Sequence, residues 1–272
     1  MKTNYPDASY LCDLAKQCGD IIVANFNLGM EKEWKEDRTP LTVTDIAIDN
    51  LAHSVIGRDY PHIRIIGEES SEEAPETASA EYTVLFDPLD GTIPFSHGVP
   101  FSTFCIAVLY DGKPIAGVIY DPFGKRMFHA TRGKGSFLFK NQLSVSTRDT
   151  ITGSILYAAV LNTRNEKFYN AACLAQRLAK EYAITIDTAA IGYFGGLVAA
   201  GEFDATIHSG TRAWETAAMQ ILVEEAGGRA TDIYGNGLYY GPHGEIQGHI
   251  ISNGKIHDKL VQIVSECAPN PS

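Results

Sequence analysis

Two carboxylates three positions apart, Asp87 and Asp90, stand in the run Asp87-Pro88-Leu89-Asp90-Gly91-Thr92. Pro88 fixes the backbone between them, so both side chains and the carbonyl of Leu89 can converge on one hard, oxygen-seeking cation. Gly91 lets the backbone approach a ligand closely, and the Thr92 hydroxyl can hold a water or a phosphate oxygen. Taken in isolation, the same residues are also consistent with a turn whose aspartates cap a helix, since aspartate is favoured there.

Three more acids stand near element ends. Glu68 follows Ile63-Arg64-Ile65-Ile66-Gly67, which reads as a strand, so it sits at a strand's carboxyl end as Asp87 does. Asp45 falls in the first turn of a helix capped by Thr42 or Thr44, with Ile46, Ile48, Leu51 and Val55 on its apolar side. On its own it reads as a dipole-stabilised surface acid. Glu215 stands one or two residues inside a long helix opened by Arg212-Ala213-Trp214. The adjacent tryptophan implies partial burial, and a partly buried carboxylate needs a partner.

The elements that must position these acids follow from apolar spacing. Leu11, Leu14, Ala15, Cys18, Ile21, Ile22 and Phe26 mark a helix from Asp7 to about Leu28, and Tyr82 to Phe86 marks a buried strand ending at Asp87-Pro88. Phe104 to Tyr110, Ile115 to Tyr120 and Arg126 to Ala130 alternate and are joined by short turns, which implies antiparallel pairing. Gly133-Lys134-Gly135-Ser136 lacks the spacing of a phosphate loop and reads as a turn. From Ile155 onward strands alternate with helices: Ile155 to Leu161, Glu166 to Glu181, Ala183 to Asp187, Ile191 to Ala200, Phe203 to Ile207, and the helix stopped by Gly227-Gly228. A strand at Ile250 and a last helix follow. This is the pattern of an α/β half whose sheet is covered on both faces. The acidic stretch from Ser71 to Glu81 reads as a lid or a loose connection.

Composition narrows the partners. A chain of 272 residues that is 44% hydrophobic can bury one large domain or two closely packed ones. A net charge of −11 argues against nucleic acid or anionic membranes as partners, and means that an anionic substrate needs a bound cation. Cys12, Cys18, Cys105, Cys173 and Cys267 are odd in number and lack a C-x-x-C pair, so reduced, buried thiols and a cytoplasmic location are expected. No apolar run approaches the roughly 18 residues of a membrane span.

Taken together, Lys35-x-Asp37-x-Thr39-Pro40-Leu41-Thr42-x-x-Asp45, Gly67-Glu68-Glu69-Ser70, Asp87-Pro88-Leu89-Asp90-Gly91-Thr92, Trp214-Glu215-x-Ala217-Ala218, Glu225-Ala226-Gly227-Gly228 and Ser252-Asn253-Gly254 resemble the inositol monophosphatase family. The resemblance implies one catalytic domain over 1–272, with halves of about 1–150 and 151–272, folded as an alternating α-β-α-β-α layered sandwich. It implies Mg2+-dependent, lithium-sensitive hydrolysis of a small phosphorylated metabolite, inositol 1-phosphate first among candidates, by a homodimer. It further implies that Glu68, Asp87, the Leu89 carbonyl, Asp90 and Glu215 bind two or three Mg2+ ions. Thr92 paired with Asp45, and helped by Glu68, would direct the attacking water; Gly91, Thr92, Glu215 and His208 would contact substrate.

The chain departs from the family's usual pattern at Glu215, where aspartate is common, at Pro94, where asparagine is common, and at Thr188-Ala189-Ala190-Ile191, which replaces a Gly-Ser-Ala segment. His208 lies near the place of an acid in inositol-selecting members, and reads either as a leaving-group contact or as a surface or capping histidine. Histidinol phosphate, fructose 1,6-bisphosphate and 3′-phosphoadenosine 5′-phosphate are alternative substrates within the family. A haloacid-dehalogenase-like phosphatase, and a degenerate member that binds metal or phosphate without turnover, are the readings outside it.

Overall fold

Residues alternate sides along a strand, so a strand buried on both faces reads as one continuous apolar run. Phe104, Ile106 and Val108 enter one core with Leu11, Leu14, Ile22 and Ile48, while Cys105, Ala107 and Leu109 enter another with Phe194, Val198, Met219 and Ile221. That alternation sets the architecture.

The computed structural model describes residues 4–35, 39–70, 81–160, 168–210 and 212–268. In chain order come α1 (Ala8–Asn25), β1 (Glu33–Trp34), β2 (Pro40–Leu41), α2 (Val43–Asp59), β3 (Arg64–Gly67), β4 (Tyr82–Asp90), α3 (Thr92–Ser96), β5 (Thr103–Tyr110), β6 (Lys113–Asp121), β7 (Arg126–Thr131), β8 (Gly135–Leu138) and β9 (Asn141–Gln142). There follow β10 (Ile155–Ala158), α4 (Ala171–Lys180), β11 (Ile184–Ile186), α5 (Ile191–Ala199), β12 (Ala205–His208), α6 (Thr216–Glu225), β13 (Arg229–Thr231), β14 (His249–Ser252) and α7 (His257–Ser265). Residues 71–80 of the expected lid, Asp37, and the expected helix start at 166 lie outside the described residues.

A seven-stranded sheet runs β3-β4-β5-β6-β7-β8-β9 and a five-stranded sheet runs β11-β10-β12-β14-β13. Helices α1 and α2 cover the outer face of the first, and α5 and α6 lie between the two sheets. On the second sheet Tyr157 and Ala159 face the central helices, whereas Leu156 and Ala158 face Leu174, Leu178, Leu260 and Ile263 of α4 and α7. The order is therefore α-β-α-β-α, as the resemblance implied. The central packing is close: a Cβ on Gly117 of β6 would lie 2.5 Å from Ile221 Cγ2 and 3.2 Å from Ala218 Cα.

The structure corrects several expectations. The strand expected to stop at Asp87-Pro88 continues to Asp90, and Gly135 and Ser136, read as part of a turn, begin β8. The α6 helix starts at Thr216, which makes Glu215 its N-cap residue rather than an interior one. The short strands β1, β2, β9 and β13 carry too few residues to show an alternating pattern. Cys173 and Cys267, expected as reduced thiols, form a disulfide across a sequence separation of 94, with Cα atoms 5.5 Å apart. It joins α4 to the segment after α7, two elements whose proximity is tertiary and leaves no spacing signal. The pairing removes the cysteine-based argument for a cytoplasmic location. Among the described residues, no helix is long and apolar enough to cross a membrane.

Candidate active site

The decisive local feature is a bulge in β4. Asp87 pairs with Cys105 and Asp90 with Thr103, so three steps along β4 match two along β5. In an unbroken strand, residues an odd number of positions apart point to opposite faces. The extra residue cancels that alternation and puts Asp87 and Asp90 on one side, while the Leu89 side chain enters the core under α1 and α2. Pro88, with no N–H to donate, fits the interrupted ladder.

Asp87 and Asp90 line a cavity of about 480 Å³ together with Glu68, Leu89, Gly91, Thr92, His208 and Glu215. The cavity opens between the carboxyl ends of parallel β3 and β4 and those of β10, β11 and β12, which are parallel to one another. Asp45 stands behind it. Thr42 and Asp45 form a capping box at the start of α2: the Thr42 N–H and hydroxyl both donate to Asp45 Oδ2, at 2.7 and 2.5 Å. The other oxygen, Oδ1, accepts from Thr92 Oγ1 at 3.1 Å, and that hydroxyl also lies 3.0 Å from the Leu89 carbonyl. With its proton directed to these acceptors, the Thr92 oxygen keeps lone pairs for a water.

Asp90 is held from the other half of the chain. Its Oδ1 accepts from Ile191 N at 3.1 Å, and its Oδ2 from Gly192 N at 2.8 Å and Thr103 Oγ1 at 2.9 Å. Asp87 Oδ1 accepts from Leu89 N at 2.8 Å. Glu68 and Glu69 both pair with Lys35, at 3.0 and 2.6 Å. Gly91 adopts φ 93°, and a Cβ there would lie 2.8 Å from Ala190 Cβ and 2.9 Å from the Phe101 carbonyl oxygen. Only glycine fits that turn into α3.

The electrostatics are those of crowded acids short of positive charge. Asp45, Asp87, Asp90 and Glu215 are 1%, 5%, 6% and 7% exposed. Burial, then the charges of Glu68, Asp90 and Glu215, push Asp87 well above the usual carboxylate range. Burial raises Asp90 to about 6 against the hydrogen bonds it accepts, and burial with Asp90 and Glu68 nearby raises Glu215 to about 8. Glu69 rises to about 7 for the same reasons, burial first and Glu68 second. Burial works against a charged Lys35, but Glu68 and Glu69 outweigh it and hold the ammonium above its ordinary range.

Among the described residues, no three acidic, histidine or cysteine side chains close on a single point that could hold an ion. The acids are instead engaged by Lys35, Thr103 and backbone amides. The donor set nevertheless suits a hard divalent cation: it is all oxygen, it lines one cavity, and its buried carboxylates repel one another. Glu68 and Glu215 reach one methylene farther than the two aspartates of the set.

The sequence model of the inositol monophosphatase family matches residues 5–268. The chain belongs to the inositol monophosphatase family. It is 31% identical over 266 residues to a histidinol-phosphatase of Mycobacterium tuberculosis, covering 95% of this chain and 97% of that one. It is 30% identical over 236 residues to an inositol monophosphatase of Mesembryanthemum crystallinum, covering 84% and 87%. The fold matches the crystal structure of the extragenic suppressor protein suhB from Bartonella henselae with a TM-score of 0.83 at 24% identity, over 94% of this chain and 97% of that one. As a member of the family, the chain is a phosphatase that hydrolyses phosphate monoesters.

Sequence reasoning missed Asp187, Tyr157 and Arg212, which also line the cavity, and Thr103, which holds Asp90. Asp187 follows β11 directly, so the strand-end rule that selects Glu68 would have selected it. His208, at the end of β12, lines the cavity wall. Thr103 and Arg212 reach their places through long-range packing and leave no local signal.

Proposed function

We propose that this chain is a Mg2+-dependent phosphomonoesterase in which Glu68, Asp87, the Leu89 carbonyl, Asp90 and Glu215 hold two or three ions. One observation supports the reading above others: these groups line the same cavity as Thr92, whose hydroxyl donates to Asp45. Magnesium bound there would supply the positive charge that a phosphoryl group and its attacking water require. Asp45 keeps the Thr92 hydroxyl turned so that its lone pairs receive a proton of the water, and Glu68 faces the same water from the end of β3. Amides in the first turn of a helix have no carbonyl of their own to meet, which leaves those of Gly91 and Thr92 for phosphate oxygens. The homodimer implied by the resemblance belongs to the same proposal.

The substrate is a small phosphorylated alcohol. Inositol 1-phosphate is the family's first reading. Histidinol phosphate is a second, favoured by His208 standing near the place of an inositol-reading acid and by the likeness to the M. tuberculosis enzyme over nearly the whole chain. A panel of inositol 1-phosphate, histidinol phosphate, fructose 1,6-bisphosphate and 3′-phosphoadenosine 5′-phosphate tests the proposal. Phosphate release that requires Mg2+ and is suppressed by lithium is expected. Release unaffected by chelators, or a trapped phosphoenzyme, would contradict it.

A further inference from the structure

Glu215 occupies the N-cap position of α6, yet its side chain makes no capping hydrogen bond and lines the cavity instead. A helix start that gives up its cap in this way must be fixed by another group. The next residue, Thr216, is fully buried, and its hydroxyl lies 3.0 Å from His249 Nδ1.

His249 is fully buried too, and its other ring nitrogen, Nε2, lies 3.3 Å from the Thr206 hydroxyl. Strand register explains how the three residues meet. Thr206 and His208 share one face of β12, and His249 of β14 stands directly opposite His208, with ring centroids 5.6 Å apart. Tyr157 and Ile251, the cross-strand partners of Thr206, pack with the central helices, so His249 also points from the sheet toward α6.

Burial, with His208 nearby, lowers His249 well below its ordinary range, so the ring is neutral at pH 7. A neutral imidazole offers one donor and one acceptor, and a threonine hydroxyl can answer either, so both nitrogens are matched whichever carries the proton. Rotating such a ring would leave a nitrogen without a partner and away from water. Thr206, His249 and Thr216 therefore form a stiff link between the second sheet and the first turn of α6.

We propose that His249 is a positioning residue for the metal site: acting through Thr216, it fixes the start of α6 and so holds the Glu215 carboxylate in place for Mg2+. The proposal rests on the metal-dependent reading above. Groups that orient a ligand from outside the coordination shell commonly set metal affinity.

The test leaves the buried ring in place and removes its partners one at a time. Thr216→Val and Thr206→Val make the same near-isosteric change, and each strands one nitrogen of His249, so both should lower the melting temperature. Only Thr216→Val releases α6. Titration calorimetry with MgCl2 should show binding roughly tenfold weaker in Thr216→Val, but within about twofold of wild type in Thr206→Val and in Thr216→Ser, which keeps the hydroxyl. Unchanged Mg2+ affinity in Thr216→Val would overturn the proposal, as would an equal loss in Thr206→Val or in Thr216→Ser. Absence of Mg2+ binding by wild type would overturn it together with the metal-dependent reading.

Discussion

Gly192 N donates to Asp90 Oδ2 at 2.8 Å, across 102 positions of sequence. With Ile191 N on Oδ1, Asp90 caps the start of α5, whose own N-cap residue, Ala190, supplies no side-chain acceptor. The cap that an isolated aspartate would provide locally is thus provided to a helix in the other half of the chain. A Cβ at position 192 would lie 2.4 Å from Cys105 Sγ and 3.0 Å from Asp90 Oδ2. Gly192→Ala should displace Asp90, destabilising the fold by about 1–3 kcal/mol and lowering kcat by roughly tenfold or more. Thermal unfolding and phosphate release measure the two effects; unchanged turnover would show that the Asp90 position is not critical.

Glu215 is buried at the N-cap position of α6 and is one methylene longer than the aspartate common in the family. Glu215→Asp is expected to tighten Mg2+ binding or speed turnover, as read from the Mg2+ concentration giving half-maximal activity. A large loss would mean that the backbone around α6 is already fitted to glutamate.

Part of the acid sensitivity should come from His257, alongside the buried His208 and His249, which burial also lowers. Thr231 gives its hydroxyl proton to the Asp232 carbonyl at 2.7 Å, so at 2.9 Å it accepts from His257 Nε2, while Ser252 donates to Nδ1 at 2.8 Å. Burial, with Arg229 nearby and only partly offset by Asp258, lowers His257 to about 4. The folded-state value lies below the unfolded one of about 6.5, so its stabilising contribution is complete above that pH and is lost as pH falls toward 4. Unfolding in urea at pH 7.5 and pH 5 should show a loss on the order of 2 kcal/mol from this group, and His257→Asn should reduce the difference. An identical pH dependence in that variant would exclude His257 as its source.

The Cys173–Cys267 bridge lies away from the cavity, between α4 and the end of the chain. Cys267→Ser should cost about 3 kcal/mol of stability through the long loop it opens, with activity at 25 °C unchanged. Equal melting temperatures for the variant and the oxidised wild type would show that the bridge does not form.

What the sequence made legible was local. The Thr42–Asp45 box is spelled out within four residues, and the strand-end acids Glu68 and Asp87 follow from apolar runs that stop. What it concealed was tertiary: the bulge that turns Asp90 to the side of Asp87 shows only in the register with β5, and the amides that hold Asp90 come from α5. Asp187 directly follows the three-residue β11, a strand end outside the motifs that carry the family resemblance. The disulfide depends on α4 meeting α7, which no spacing encodes.

The most direct test is Mg2+-titrated phosphate release by wild type and Asp90→Asn, with folding checked by circular dichroism. If the acids of this cavity work as one metal-holding cluster, wild type should need Mg2+ and folded Asp90→Asn should be inactive at every Mg2+ concentration, because a neutral amide cannot replace a charged ligand. Full turnover by Asp90→Asn, or wild-type turnover with all divalent ions chelated, would contradict that account.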